Sequence, residues 1–291
     1  MRHKVQASRP LTMKSVRVDR WATVSIFGRL QQRKNGHPAE RIPILMYHGV
    51  TESGNSHRHP YYETATSPAM FEQHVRFLRD EGYTSVSLSE ALRRIKARDE
   101  RCSNSVVITF DDGYQNFYTR AFPTLIEYGF TATVFLPTAY IAQTRRSFNG
   151  FGCLTWDEVR ELKSSGIEFG SHTEAHPQLR DLGAADIRHE LRCSKETIEN
   201  MLGCALDSFA YPYAFPETDR VFVGNLRDML EETGYDNGVC TIVGTADATC
   251  DRYFMRRLPV NSGDDLRFFS AKLRGGYNWL HTVQYARKLC L

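Results

Sequence analysis

From Ile42 onward the chain alternates between short apolar runs and longer segments whose apolar residues recur every three or four positions. Ile42 to Tyr47 reads as a strand. The next segment carries Phe71, Val75 and Leu78 on one helical face, with Ser67 as its cap and Pro68 at its first position. A brief extended piece, Tyr83 to Val86, precedes a helix running towards Arg98, for which Ser87 and Glu90 predict a capping box. Val106 to Phe110 is apolar at nearly every position, the pattern of a parallel strand covered on both faces. Arg120 to Tyr128 predicts a helix stopped by Gly129, and Thr131 to Leu136 a further buried strand. Thr155 and Glu158 form a second capping box, opening a helix that ends near Gly166, after which Ile167 to Gly170 is again strand-like. Ile187, Leu191 and Ile198 mark a longer helix. Phe209 to Tyr211, a helix near Val221 to Glu232, and Tyr235 to Val239 complete the series.

Strand then helix, unit after unit and with no sequence repeat, predicts an α/β fold with a parallel sheet, which this many units can close into a barrel. Residues 1–40 lack sustained periodicity and run into Asn35-Gly36-His37-Pro38, so they read as a basic extension or linker. Residues 41–275 read as one catalytic domain and 276–291 as a C-terminal tail.

Composition narrows the function classes. Hydrophobic residues at 41% and charged residues at 24% suit a globular chain with a sizeable core, which excludes disordered and fibrous classes. The net charge of +3 is small and its Lys and Arg are scattered, so no nucleic-acid partner is expected. Seven widely spaced cysteines without a C-x-x-C pair read as free thiols of a reducing compartment. Trp21 to Gly28 is too short and too polar for a signal peptide or an integral membrane segment. A cytoplasmic location is expected, with peripheral membrane contact through the basic segment left open. Oligomeric state is not legible.

The reactive side chains fall just after predicted strands. Asp111 and Asp112 follow Val106 to Phe110, with Gly113 next. Adjacent carboxylates on an irregular turn point in different directions, so one can bind a metal while the other faces water. The same triplet also suits a solvated turn, and its strand-end position is what weighs towards chemistry. His172 and His176 lie after Ile167 to Gly170. If their segment makes a helical turn, imidazoles four residues apart share a face and can chelate one ion. Two surface histidines near a turn are the alternative, and Pro177 limits any helix there. His48 ends the first strand-like run. Phe209-Ala210-Tyr211-Pro212-Tyr213 is an aromatic strand exit that either packs as an ordinary turn or exposes an oxyanion donor. Met255-Arg256-Arg257-Leu258-Pro259 offers guanidinium groups able to orient a carboxylate.

Together these motifs, from about Pro43 to Pro259, resemble the polysaccharide deacetylase family, the NodB-homology fold of carbohydrate esterase family 4. Thr109-Phe110-Asp111-Asp112-Gly113 is similar to the first family signature and His172-Thr173-Glu174-Ala175-His176 to the second, while Leu154-Thr155-Trp156 resembles a recurrent helix start. The resemblance implies a distorted (β/α) barrel, Asp111 as catalytic base, and Asp112, His172 and His176 as ligands of a divalent metal, Zn²⁺ or similar. It also implies the Tyr213 backbone N–H as oxyanion donor and an N-acetylated glycan as substrate. Where many members carry Arg-x-Pro-Tyr, this chain has Ala210-Tyr211-Pro212-Tyr213, so the arginine that orients the base is absent and Arg257 is its candidate replacement. The late family motif that supplies the general acid is not recognisable, whereas Met46-Tyr47-His48 resembles a rearranged subgroup in which an N-terminal histidine, here His48, takes that role. Three functions stay open on this reading: an N-deacetylase of a saccharide, an O-acetyl esterase or non-sugar amide hydrolase using the same site, and a catalytically weak saccharide-binding protein.

Overall fold

The computed structural model describes residues 17–28, 41–52 and 63–289. Most of the expected 1–40 extension, including the turn at Asn35 to Pro38, lies outside the described residues. The strands that build the site are β1 (Ile44–Tyr47), β2 (Thr84–Ser85), β3 (Ser105–Phe110), β4 (Thr133–Leu136), β5 (Glu168–Ser171), β6 (Ser208–Ala210), β7 (Asn237–Val243) and β8 (Met255–Pro259). From β3 each strand pairs in parallel with the next, β8 pairs with β1, and β1 pairs with β3. Seven strands thereby close into the expected distorted barrel. β2 stays outside the circuit: it pairs with Ser105 and Val106 of β3, and β1 takes the rest of that edge from Val107 to Phe110.

Around the barrel lie α1 (Val18–Ala22), α2 (Pro68–Asp80), α3 (Leu88–Ala97), α4 (Phe122–Tyr128), α5 (Trp156–Ser164), α6 (Ala184–Leu202), α7 (Arg220–Thr233), α8 (Leu266–Leu273) and α9 (Trp279–Leu289). The caps follow the sequence closely. Ser67 accepts from the Met70 N–H with Pro68 at the first position, Thr155 and Glu158 complete a reciprocal capping box, and Gly129 closes α4 in the left-handed region. The box expected at Ser87 forms only half. Ser87 accepts from the Glu90 N–H, but the Glu90 carboxylate turns to Arg93 and Arg94, since two guanidinium groups one turn away outcompete a single backbone donor. The helix expected from Arg120 opens as a π-helical turn, Phe117–Ala121, before α4. The strand expected at Tyr235 to Val239 is shifted, β7 running from Asn237 to Val243.

Helical segments flanking the barrel in sequence dock together on it. Val18–Ala22 continues into Thr23–Phe27, and the Trp279 indole N–H of α9 donates to the Thr23 hydroxyl at 3.0 Å. α9, within the expected 276–291 tail, also ties its Lys288 to Glu217 at 2.8 Å.

Two-residue alternation decides which strand residues reach the site. Ile44, Val107, Phe135, Ala210, Val239 and Met255, one from each of six strands, fall in one buried cluster, into which α3 packs Leu88, Ala91 and Ile95. The intervening residues Leu45, Val106, Ile108, Val134, Leu136, Phe209 and Leu258 belong to a second cluster with the helices. Stepping by two along the first set leads from Ile44 to His48, from Val107 through Thr109 to Asp111, and from Met255 to Arg257. The parity that fills the barrel therefore delivers these three side chains to its carboxyl end. Gly170 belongs to this layer, and a Cβ there would stand 2.4 Å from the Phe135 ring.

Candidate active site

β1 pairs Tyr47 with Phe110, so the residues that leave these strands, His48 and Asp111, emerge side by side. His48 Nε2 lies 4.0 Å from Asp111 Oδ2 and its side chain keeps 20% exposure, while Asp111 is buried. Asp111 is held by Arg257. The guanidinium donates from Nη1 to Oδ1 at 2.7 Å and from Nη2 to Oδ2 at 2.8 Å, and is itself fixed by Nε donating to the Cys240 carbonyl at 3.1 Å and by Thr109 Oγ1 at 3.2 Å. Burial alone would raise the Asp111 pKa. The Arg257 guanidinium, helped by His172 and His48, overrides it and holds the carboxyl well below the usual carboxylate range. Asp111 is thus an ionised carboxylate in a site that would otherwise protonate it.

Asp112 points elsewhere because its backbone is left-handed, with φ 71°. Gly113 follows at φ 58°, and a Cβ there would meet Leu136 Cδ2 at 2.9 Å, so the turn needs glycine on both counts. His172 leaves β5 and donates from Nδ1 to the Ala210 carbonyl at 2.8 Å, taking that nitrogen as protonated, which leaves the Nε2 lone pair facing inward.

The two imidazoles do meet, but not on a helical turn. Residues 172–176 form a loop in which Thr173 (φ 67°) and His176 (φ 57°) are left-handed, with Pro177 next in sequence barring helix continuation. Four bonds to side chains hold the loop: the Thr173 N–H donates to Ser171 Oγ, the His176 N–H to Thr173 Oγ1, and the Glu174 and Ala175 N–H groups to Glu190 Oε2 at 2.8 and 2.9 Å. Tyr213 is also left-handed at φ 59°, half-exposed, and its ring packs edge-on to His176 at 4.6 Å between centroids. Its N–H donates to no described residue, while its carbonyl accepts from Thr241. Left-handed non-glycine backbone thus recurs at Asp112, Thr173, His176 and Tyr213, all around one point, where strain is tolerated because the surroundings fix it.

The donor set fits a divalent metal. Asp112 Oδ1, His172 Nε2 and His176 Nε2 form a triangle with edges of 3.2, 3.5 and 3.7 Å. Ligands about 2.1 Å from a tetrahedral zinc lie about 3.4 Å apart. All three residues are buried. Burial, with the neighbouring His172, pushes His176 down to about 4, so its ring stays neutral and its Nε2 lone pair is available. His176 Nδ1 is buried without a partner among the described residues, so the Nε2 edge is the one engaged by the other donors.

Every residue singled out in the sequence, His48, Asp111, Asp112, His172, His176, Tyr213 and Arg257, thus converges on the carboxyl mouth of the barrel. Sequence reasoning missed several supports. Tyr114 lies beside Asp112, and burial together with that negative charge pushes the phenol pKa up. Thr109 braces Arg257, the Ala210 carbonyl orients His172, Glu190 clamps the histidine loop, and Phe148 packs against His176 at 5.1 Å. Tyr114, Thr109 and Ala210 carried a signal, by adjoining or lying within the Thr109–Gly113 and Phe209–Tyr213 motifs.

The chain is similar to known proteins in sequence and in fold. A family profile described as "Polysaccharide deacetylase" matches residues 98–237. Bacillus subtilis (strain 168) YxkH, named as a polysaccharide deacetylase, is 34% identical over 237 residues, which are 79% of this chain and 75% of that protein. Escherichia coli (strain K12) poly-β-1,6-N-acetyl-D-glucosamine N-deacetylase is 32% identical over 146 residues, 47% of this chain but only 21% of that larger protein. Among solved structures, Streptococcus pyogenes deacetylase PplD, determined in complex with acetate, shares the fold with a TM-score of 0.69 at 24% identity, covering 80% of this chain and 98% of that one.

Proposed function

The chain belongs to the polysaccharide deacetylase family, hydrolases of the carbohydrate esterase family 4 type, and on that premise we propose that it removes N-acetyl groups from a glycan containing N-acetylglucosamine, giving free amine and acetate. The observation that carries this reading is the division of labour between adjacent aspartates. Asp111 is ion-paired to Arg257 and excluded from the donor triangle, while Asp112 belongs to that triangle with His172 and His176.

Asp112, His172 and His176 would hold the metal. When bound, a divalent ion of the zinc type supplies Lewis acidity towards the acetamide carbonyl and acidifies water. Asp111, kept ionised by Arg257, takes a proton from the attacking water at its Oδ atoms, and the water oxygen forms the new bond to the acetyl carbon. The Tyr213 N–H, held outward by its left-handed backbone, donates to the developing oxyanion. His48, 4.0 Å from Asp111 and partly open to solvent, gives a proton to the amine nitrogen as the C–N bond breaks. An amine is a poor leaving group without that proton, so a positioned acid favours amide over ester hydrolysis. The Met46-Tyr47-His48 run supports placing the chain in the subgroup that uses an N-terminal histidine, and Arg257 takes the part of the arginine absent at position 210. The curated relatives named as poly-β-1,6-N-acetyl-D-glucosamine N-deacetylases favour a polymer or oligomer of that sugar.

Acetate release from N-acetylglucosamine oligomers, set beside release from acetylated xylan, tests the reading. Release from the first and not the second is expected. The reverse preference would make the protein an O-acetyl esterase. Among the described residues no helix is long and apolar enough to cross a membrane.

A further inference from the structure

Glu174 sits between the two metal-binding histidines in sequence, yet its side chain turns towards the face of α6. There it meets His189 and Cys193, two residues four apart and so on one side of that helix. Glu174 Oε2 lies 3.3 Å from His189 Nε2, and Cys193 Sγ lies 3.4 Å from His189 Nδ1 and 3.6 Å from Nε2. One donor atom from each of the three falls within 4.8 Å of the other two. Around a tetrahedral zinc, with nitrogen and oxygen at about 2.1 Å and sulfur at about 2.3 Å, N–O and S–N separations are about 3.4 and 3.6 Å. The cluster is therefore already near chelating geometry.

We propose that Glu174, His189 and Cys193 form a second metal site, for a thiophilic divalent cation of the zinc type, which ties the His172–His176 loop to α6. The donor chemistry selects the ion. Thiolate and imidazole disfavour magnesium and calcium, which take oxygen ligands, and suit zinc and its cobalt surrogate. Three protein donors on a half-exposed face leave a coordination position for water and an open path for entry. Glu174, Glu196 and Glu190 place negative charge near Cys193, opposed by Arg192. Burial and these carboxylates keep the Cys193 thiol protonated without a cation, so binding releases one proton to solvent as the Sγ–metal bond forms. Glu190 already clamps the backbone of Glu174 and Ala175. A cation at Glu174 would add a side-chain tie at the same point.

This inference does not rest on the deacetylase reading, because the Asp112 set contains no sulfur. The chelator-stripped full-length protein, kept reduced with a non-coordinating phosphine, is titrated with Co²⁺ while thiolate-to-cobalt charge-transfer absorption is followed in the near ultraviolet. Asp112→Asn should develop the band, saturating at one cobalt per chain, and wild type should reach the same band height with two cobalt ions bound per chain. Cys193→Ser should lack it and bind one zinc fewer than wild type, and His189→Ala should weaken it about tenfold. If the Asp112 set were to bind nothing, the band would still appear with one zinc per chain. No band in wild type with its thiols titratable, or an undiminished band in Cys193→Ser folded by circular dichroism, would overturn the proposal. Should Cys193→Ser not fold, an unweakened band in His189→Ala would do the same.

Discussion

Replacing Arg257 by Ala removes the one guanidinium that Asp111 pairs with inside the barrel. The pair is fully desolvated and bidentate, at 2.7 and 2.8 Å, and the same group donates to Thr109 and to the Cys240 carbonyl. Truncating one partner of a buried pair costs about 3–5 kcal/mol, because the other charge is left uncompensated. Arg257→Lys keeps a charge but cannot fork onto both oxygens, so its loss should be intermediate. The pH dependence identifies the cause. In the wild type, burial opposes ionisation of Asp111 but Arg257 prevails, and the folded pKa is depressed. A depressed carboxylate contributes stability that is fully present above its unfolded pKa of about 3.9 and is lost as pH falls towards the folded value. In Arg257→Ala burial acts without the guanidinium, the folded pKa rises, and that contribution becomes a penalty at neutral pH. The gap between wild type and variant should therefore be full near neutrality and shrink as pH falls through the variant's raised pKa, closing only below the wild type's depressed pKa, where Asp111 is protonated in both proteins. Denaturant unfolding of metal-stripped protein across this range measures the gap. In activity, the acid limb of kcat/KM should move up by about 1–3 pH units, the usual effect of an adjacent opposite charge. A gap under about 1 kcal/mol, or one that does not narrow in acid, would refute the ion-pair account of Arg257.

The other predictions concern the division of roles. Asp111→Asn should abolish turnover while one metal remains bound by Asp112, His172 and His176, whereas His176→Ala should lose that metal, one per chain fewer than wild type, together with turnover; metal content by atomic absorption alongside acetate release separates them. His48→Ala should lower kcat by about 10²–10⁴, the range for losing a positioned acid. A kcat close to wild type would move the acid elsewhere. Gly113→Ala should lower unfolding free energy by about 1–2 kcal/mol from the left-handed backbone alone, with a further loss from the 2.9 Å approach to Leu136. Glu190→Ala, which frees the Glu174 and Ala175 N–H groups, should weaken metal binding about tenfold or more in a competitive chelator titration.

The sequence carried the barrel well because its signals are local. Caps at Ser67 and Thr155, the glycine stop at Gly129 and the apolar run before Asp111 each depend on a few neighbouring residues, and the structure forms all of them. The strand-end rule likewise selected His48, Asp111 and His172, which two-residue parity then turns to the barrel mouth. What failed was geometry that local spacing does not encode. His172 and His176 suggested a helical turn, but Thr173 and His176 adopt left-handed backbone, held by Ser171, Thr173 and Glu190 side chains. The partner that fixes His172 is a carbonyl 38 residues away, and Asp111 meets Arg257 across 146 residues. Such pairs follow from strand register. Arg257 became a candidate only because the family arginine is missing at Ala210, a signal from resemblance rather than from pattern. The expected Glu90 box failed for an electrostatic reason, since Arg93 and Arg94 compete for the same carboxylate.

Acetate release from N-acetylglucosamine oligomers by chelator-stripped protein, before and after restoring Zn²⁺ to saturation, tests the central claim most directly. The account predicts no acetate from stripped protein, recovery on adding zinc, and no recovery in Asp111→Asn despite stoichiometric metal. Acetate release that is unaffected by stripping, or stoichiometric metal without acetate across a broad panel of acetylated glycans, would contradict it.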